Sequence, residues 1–234
     1  MKRLKKWLFY ISSFVFFFAV FWIIYMNFGF GKGRDTVEPL FRVSSIVVKD
    51  EPSSNGALNV VASIVLLYRG LDTLGELAVI LTASVAVAFV LSGMRYTKGN
   101  LGQVFSRSAC FLFPFALALG IYITLHGHLS PGGGFSGGAL GAAGFLIAYF
   151  SGKRIREVYF ELMHSLASLV YLLVGYVGLV SGGLFLSNFL GRGSPGSVFS
   201  GGVMPLLYFL IGTKVTAELS IILYRLLGAR EEKN

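Results

Sequence analysis

This 234-residue chain is short of several things that a soluble enzyme normally carries. Cysteine occurs once, at Cys110 inside an apolar run, so no disulfide can form within the chain and no metal cluster can be built from its thiolates. Charge is scarce: Asp, Glu, Lys and Arg make up 13% of the residues against 55% hydrophobic, and the mean hydropathy is +0.73. That balance lies outside the range of soluble domains and identifies an integral membrane protein. Acidic residues are the rarer sign, 11 against 20 Lys and Arg. The resulting charge of +9 would suggest nucleic acid in a soluble protein, but here the basic residues sit at the ends of apolar segments, as a topology signal does, and no nucleic-acid partner is expected. The glycine-rich stretches lack the Lys-Ser/Thr and the preceding strand of a P-loop, which removes the nucleotide-binding reading.

What is present is a series of long apolar runs. A spanning helix needs roughly 20 apolar residues to cross about 30 Å of hydrocarbon. Six segments meet or approach this: 7–28, 74–93, 108–125, 134–150, 163–189 and 203–223. The first has a basic start and no small-residue cleavage point, and reads as a retained anchor. A seventh patch, ALNVVASIVLLY at 57–68, would rise only about 18 Å as a helix. It lies along the interface, re-enters, or continues into the next segment. Joined to residues up to 93 it would form a helix of about 55 Å, so a break is expected near Gly70 or Gly75, and broken helices in membranes border cavities or binding sites.

Positive charge favours the cytoplasmic side. If 57–68 does not cross separately, Lys2, Arg3, Lys5, Lys6, Arg95, Lys98, Arg107, Lys153, Arg154, Arg156, Arg225, Arg230 and Lys233 all fall on one side. The expected fold is therefore an all-α, polytopic integral membrane helix bundle of about six transmembrane helices with both termini cytoplasmic, in a multi-pass protein of the cell membrane. The expected organisation is an anchor helix at 1–28, an outer loop or linker at 29–56, a helical unit at 57–95 and a four-helix unit at 96–234.

Two near copies of one motif, SPGGGFSGG from Ser130 and SPGSVFSGG from Ser194, are expected at outer ends of spans. Pro131, Gly132 and Gly133 suit a helix start. Gly134, Gly137, Gly138, Gly141 and Gly144 recur at helical spacing, which lets backbones approach closely in lipid. His126 and His128, two residues apart, point in different directions on a helix, and with no carboxylate beside them a metal site is not expected, nor is any cofactor.

Charges inside apolar runs point to function, because each uncompensated one costs at least about 2.5–3.5 kcal/mol at mid-membrane. Arg69, Asp72 and Glu76 share one helical face at i, i+3 and i+7; Lys214 and Glu218 stand at i, i+4 in the last span; Glu161 and His164 stand at i, i+3 in the fifth. All seven are candidates for an ion or proton path. A charge cluster at the membrane surface and a self-neutralising pair that locks packing are the structural alternatives.

These residues form a recognisable set. GHLSPGGGFSGG followed by SGGVMPLLYFLIGTKVTAEL resembles the B subunit of the multisubunit Mrp-type sodium/proton antiporters, a four-helix membrane protein. NVVASIVLL followed by YRGLDTLGE resembles the C-terminal helices of the A subunit of the same antiporters, which occur as separate small subunits in archaeal membrane-bound hydrogenase and sulfane sulfur reductase complexes. The resemblance covers residues 55–227. It implies a membrane subunit of a cation/proton antiport module in an archaeal respiratory complex, without a catalytic site of its own. Implied partners are small A-, C-, D-, F- and G-like antiporter subunits, a membrane-bound redox module and the lipid bilayer. By the same resemblance Asp72 and Glu76 fall on the acidic pair of the A-subunit motif, whose glutamate is implicated in ion transport, and Pro131 and Phe135 fall on the B-subunit loop and helix. The second motif copy departs at Ser197 and Val198, and the chain lacks the long helical array of a pumping subunit. The alternative function is a non-conducting scaffold between antiporter and redox modules. An intramembrane enzyme would need His126, His128 and His164 to converge.

Overall fold

The computed structural model describes residues 56–90 except Arg69, 103–182 except Arg154, and 185–227 except Arg192 and Pro195, together with six helical residues between Ile11 and Trp22. Among the described residues all regular structure is helical. The elements are α1 (Val60–Ser63), which passes into a π-helical turn (Ile64–Tyr68), α2 (Gly70–Val90), α3 (Gln103–Leu125), α4 (Gly134–Phe150), α5 (Glu157–Gly182) and α6 (Met204–Leu226). Of these, α2, α3, α5 and α6 are long and apolar enough to cross a membrane, and α4 is a shorter apolar helix of 17 residues. Apart from those six residues the first expected span lies outside the described residues, as does the 29–55 loop.

The helix directions follow from which residues meet. Gly120 of α3 faces Gly137 and Gly141 of α4, and Ser106 donates to the carbonyl of Ser151, so α3 and α4 are antiparallel. Along α4 and α6 the numbers rise together, with Gly134 against Tyr208, Gly138 against Gly212 and Val215, and Gly141 against Thr216. These two helices are parallel. Arg225 pairs with Glu157, the Phe160 and Tyr224 rings stand 5.4 Å apart, and Glu218 meets His164, so α5 and α6 are antiparallel. Most of α6 is buried, which makes it the central helix.

Close approach explains the glycines of α4. A Cβ on Gly134 would stand 2.6 Å from the Tyr208 carbonyl oxygen, and one on Gly138 would stand 2.8 Å from that of Gly212. The Thr216 hydroxyl, which donates to the Gly138 carbonyl at 3.0 Å, occupies the space a side chain at Gly141 would need. With no apolar driving force between helices in lipid, such backbone contact and interhelical hydrogen bonds supply the association.

The helix start at α4 differs from the expectation. Pro131 precedes the helix by three residues, and the turn is made by Gly132 and Gly133, whose φ values of 152° and 138° disfavour side chains. Pro205, in the first turn of α6, takes the helix-start position instead. The fifth span also shifts: α5 begins at Glu157 and ends at Gly182, after which Phe185 and Leu186 fold back as buried residues against Gly175.

The short patch before α2 neither crosses nor continues smoothly. Asn59 caps α1, its side-chain oxygen accepting from the Ala62 amide at 3.1 Å. Its amide nitrogen donates to the carbonyls of Gly127 and Ser130, at 3.0 and 2.8 Å, and so ties α1 to the glycine turn. The chain then runs through the π turn and restarts as a helix at Gly70, where a Cβ would meet Leu186 at 2.8 Å.

Candidate functional site

Two places gather polar groups inside the apolar bundle. The first is a cavity of about 490 Å³ between α1, α2, α6 and the glycine turn. Residues 131–136 form one wall, Tyr208 and Ile211 another, and the remaining apolar lining comes from α1 and the π turn. Asn59, Thr73, Glu76 and Ser136 bring the polar groups. Glu76 is exposed on α2, and among the described residues it has no ion pair. Its carboxylate lies within electrostatic reach of the Tyr171 hydroxyl on α5. Tyr171 is 1% exposed and that hydroxyl has no hydrogen-bond partner among the described residues. The cavity thus unites Glu76 with Pro131, Gly132, Gly133, Gly134 and Phe135, which the sequence places far apart. Asp72, one turn before Glu76, is exposed; Arg69 lies outside the described residues.

The second place is a buried cluster between α5 and α6. Lys214 and Glu218 are each 1% exposed and His164 is fully buried. Lys214 Nζ donates to Glu218 Oε1 at 2.7 Å, His164 Nδ1 stands 2.9 Å from the same oxygen, and Nζ and Nδ1 are 3.2 Å apart. Glu218 Oε2 has no hydrogen-bond partner among the described residues. Ser168 donates to the His164 carbonyl at 2.7 Å one turn away. His164 lies seven residues from Tyr171 along α5, about 10 Å, so the cluster and the cavity are consecutive levels of one bundle.

Glu161, expected beside His164, belongs elsewhere. It stands 3.6 Å from Arg225 Nη2, and the Arg225 Nε contacts Glu157, forming a partly exposed charge group where the start of α5 meets the end of α6. The i, i+3 spacing is real, but each residue is claimed by a different partner on α6. Sequence reasoning assigned Lys214 to Glu218 correctly and missed that His164 completes the group from the facing helix. The missed signal was that antiparallel neighbours of similar length bring together polar residues at matching depths.

The outer histidines do not meet His164. His126 stacks on Tyr122 at 4.2 Å with Nδ1 against the Tyr122 carbonyl, while His128 is buried with Nε2 3.3 Å from the Ser197 carbonyl. His128 thereby bridges the two glycine motifs. Burial lowers its pKa below the usual 6.5, against a smaller upward pull from the Ser197 hydrogen bond. Among the described residues no group of three or more His, Cys, Asp and Glu side chains could hold a metal ion.

The profile of a family described as a domain related to the MnhB subunit of the Na+/H+ antiporter matches residues 104–221. An uncharacterized protein of Methanocaldococcus jannaschii is 31% identical over 194 residues, 69% of this chain and 74% of that protein. A probable A/B subunit of a K+/H+ antiporter from Rhizobium meliloti is 26% identical over 138 residues, 47% of this chain but 14% of that one. Among solved structures, a chain of the membrane-bound sulfane sulfur reductase, an archaeal respiratory membrane complex, is 38% identical with a TM-score of 0.71, covering 88% of this chain and 92% of that chain. A chain of the Mrp complex from Dietzia sp. DQ12-45-1b shares the fold, with a TM-score of 0.67 at 23% identity over 89% of this chain and 25% of that one. The protein is a multi-pass membrane chain, and it belongs to the family of domains related to the MnhB subunit of the Na+/H+ antiporter.

Proposed function

We propose that this chain is a membrane subunit of a Na+/H+ antiporter-type module within a larger respiratory complex, and that it contributes an ion path as well as contacts for assembly. The family and the similar chains in multisubunit membrane complexes support the first part. The observation that carries the second is Glu76, a carboxylate that opens on a 490 Å³ cavity and has no ion pair among the described residues. Oxygen atoms from Glu76, Thr73, Asn59 and Ser136 line that space, and hard cations prefer oxygen ligands. The finer reading joins an A-subunit-like unit at 57–95 to a B-subunit-like unit at 96–234. It is supported by a family match that begins at 104, whereas the likeness to a single chain of the sulfane sulfur reductase extends over 88% of this one. The chain then works without a catalytic site of its own, and any redox chemistry belongs to other subunits.

The test is antiport by the reconstituted complex carrying Glu76→Gln, with subunit composition checked in the same preparation. Weakened sodium-driven proton movement, with a higher sodium concentration for half-saturation, is expected at equal assembly, and wild-type transport at equal assembly would overturn the path. A Glu157→Gln control, which disturbs only the Arg225 charge group, should transport normally. The scaffold reading is favoured by the burial of Lys214 and Glu218. It requires Glu76→Gln to leave transport intact and to weaken assembly instead.

A further inference from the structure

Whether the buried cluster carries sodium, carries protons or only locks two helices together is decided by its geometry. Two of the three groups are nitrogen donors, and both lean on the same oxygen of Glu218. A sodium ion there would find only Oε2 open and two nitrogens in the way of a shell of oxygens. Lys214 and Glu218 share one helix, so a lock between α5 and α6 runs through His164, and a non-titrating amide or hydroxyl there would serve it as well. The third member, an imidazole from the opposite helix, adds burial cost without adding charge neutralisation.

We infer that His164, Lys214 and Glu218 form a one-proton exchange site across the α5–α6 interface, with the proton passing between Lys214 Nζ and His164 Nδ1 while Glu218 stays ionised. The inference rests on the reading of the chain as part of an antiport path. In one arrangement Lys214 is an ammonium, His164 carries its hydrogen on Nε2, and the Nδ1 lone pair accepts from Nζ across 3.2 Å. Transfer breaks one Nζ–H bond and forms an Nδ1–H bond, leaving a neutral amine and an imidazolium. The new Nδ1–H donates to Oε1 at 2.9 Å, and the amine keeps its 2.7 Å bond to that oxygen. The sum of charges is unchanged, and the ring turns its bare Nδ1 from Oε1 toward Nζ when Lys214 holds the proton. Imidazole has nitrogens on two sides of its ring, so a proton taken up at Nδ1 leaves a second N–H at Nε2.

Glu218 and Lys214 are among the charged groups acting on His164, and Glu218 acts on Lys214. On α5 the neighbouring carboxylates Glu157 and Glu161 face Arg225, while Tyr171 lies on the opposite side toward Glu76. Residues 134–148 of α4 include no titratable side chain; α2 contributes only Asp72 and Glu76, and α3 only Arg107, Cys110 and Tyr122.

The test uses the reconstituted complex, with proton and sodium fluxes followed across pH. Lys214→Arg keeps the cation but does not release a proton, and His164→Gln keeps a polar partner but carries no proton. Each should lower proton-coupled transport on the order of 100-fold, the scale of losing a proton-transfer group, without changing the sodium concentration for half-saturation. Wild-type rates with an unaltered pH profile in both variants would overturn the inference. Should either fail to assemble, the apolar triple variant Lys214→Met, His164→Phe, Glu218→Leu removes the buried charges together and is expected to assemble without proton coupling. Proton coupling retained in the triple variant overturns the proposal equally. If these variants transport normally while Glu76→Gln does not, the exchange site alone fails. If all transport normally, the ion-path reading fails with it.

Discussion

Glu76 and Glu218 are carboxylates in apolar helices, yet they live under opposite conditions. Glu218 is 1% exposed and receives two nitrogens on one oxygen, whereas Glu76 is exposed to a cavity and has no ion pair among the described residues. The first is compensated from within the chain. The second has no counter-charge among the described residues, and a charge in an apolar segment is costly without one. A charge in a greasy segment therefore carries two meanings, and packing separates them.

The largest break in this comparison comes from Glu218→Ala. It leaves the Lys214 ammonium buried without its anion and should cost about 3–5 kcal/mol, read as an early thermal transition of the purified complex. Glu76→Ala should leave that transition near wild type, since the carboxylate has no ion pair among the described residues. Equal losses from the two changes would erase the distinction. Next in size is Gly134→Ala, which pushes a methyl against the Tyr208 carbonyl and should cost about 1–3 kcal/mol through forced separation of α4 and α6.

The outer loop should respond to acid through His128. Its folded pKa lies below 6.5, so the folded form resists protonation, and its stability is fully present above that pH and declines as the pH falls through 6.5 toward the folded value. The protection factors for hydrogen exchange of residues 193–202, taken relative to the intrinsic rate at each pH, should therefore fall between neutral and mildly acidic pH. His128→Gln should flatten the dependence. The smallest effect is expected at Gly75, on α2 beside Glu76, where a Cβ meets nothing within 4 Å; Gly75→Ala should stabilise by about 0.5–1 kcal/mol in the same melting assay.

Much of the helical frame was legible because lipid demands long apolar runs. Residues 134–150 emerge as a helix with the expected bounds. The end of α5 was misread because Phe185 and Leu186 are apolar for packing on Gly175 and do not continue the helix. The charged sites were half legible for a geometric reason. Periodicity reports neighbours on one helix, and so it found Lys214 with Glu218; it is silent on the facing helix, where His164 and Arg225 choose between Glu218 and Glu161. Nor could spacing reveal that Glu76 opens on the wall formed by residues 131–136, since that cavity exists only after α1 docks on the glycine turn through Asn59.

The central claim is that the exposed carboxylate serves the cation and the buried cluster serves the proton. Simultaneous recording of sodium uptake and internal pH in vesicles holding Glu76→Gln or Lys214→Arg complexes tests it most directly. Glu76→Gln should raise the sodium concentration for half-saturation and leave the pH midpoint in place, while Lys214→Arg should do the reverse. Parallel shifts of both quantities in both variants would contradict the division.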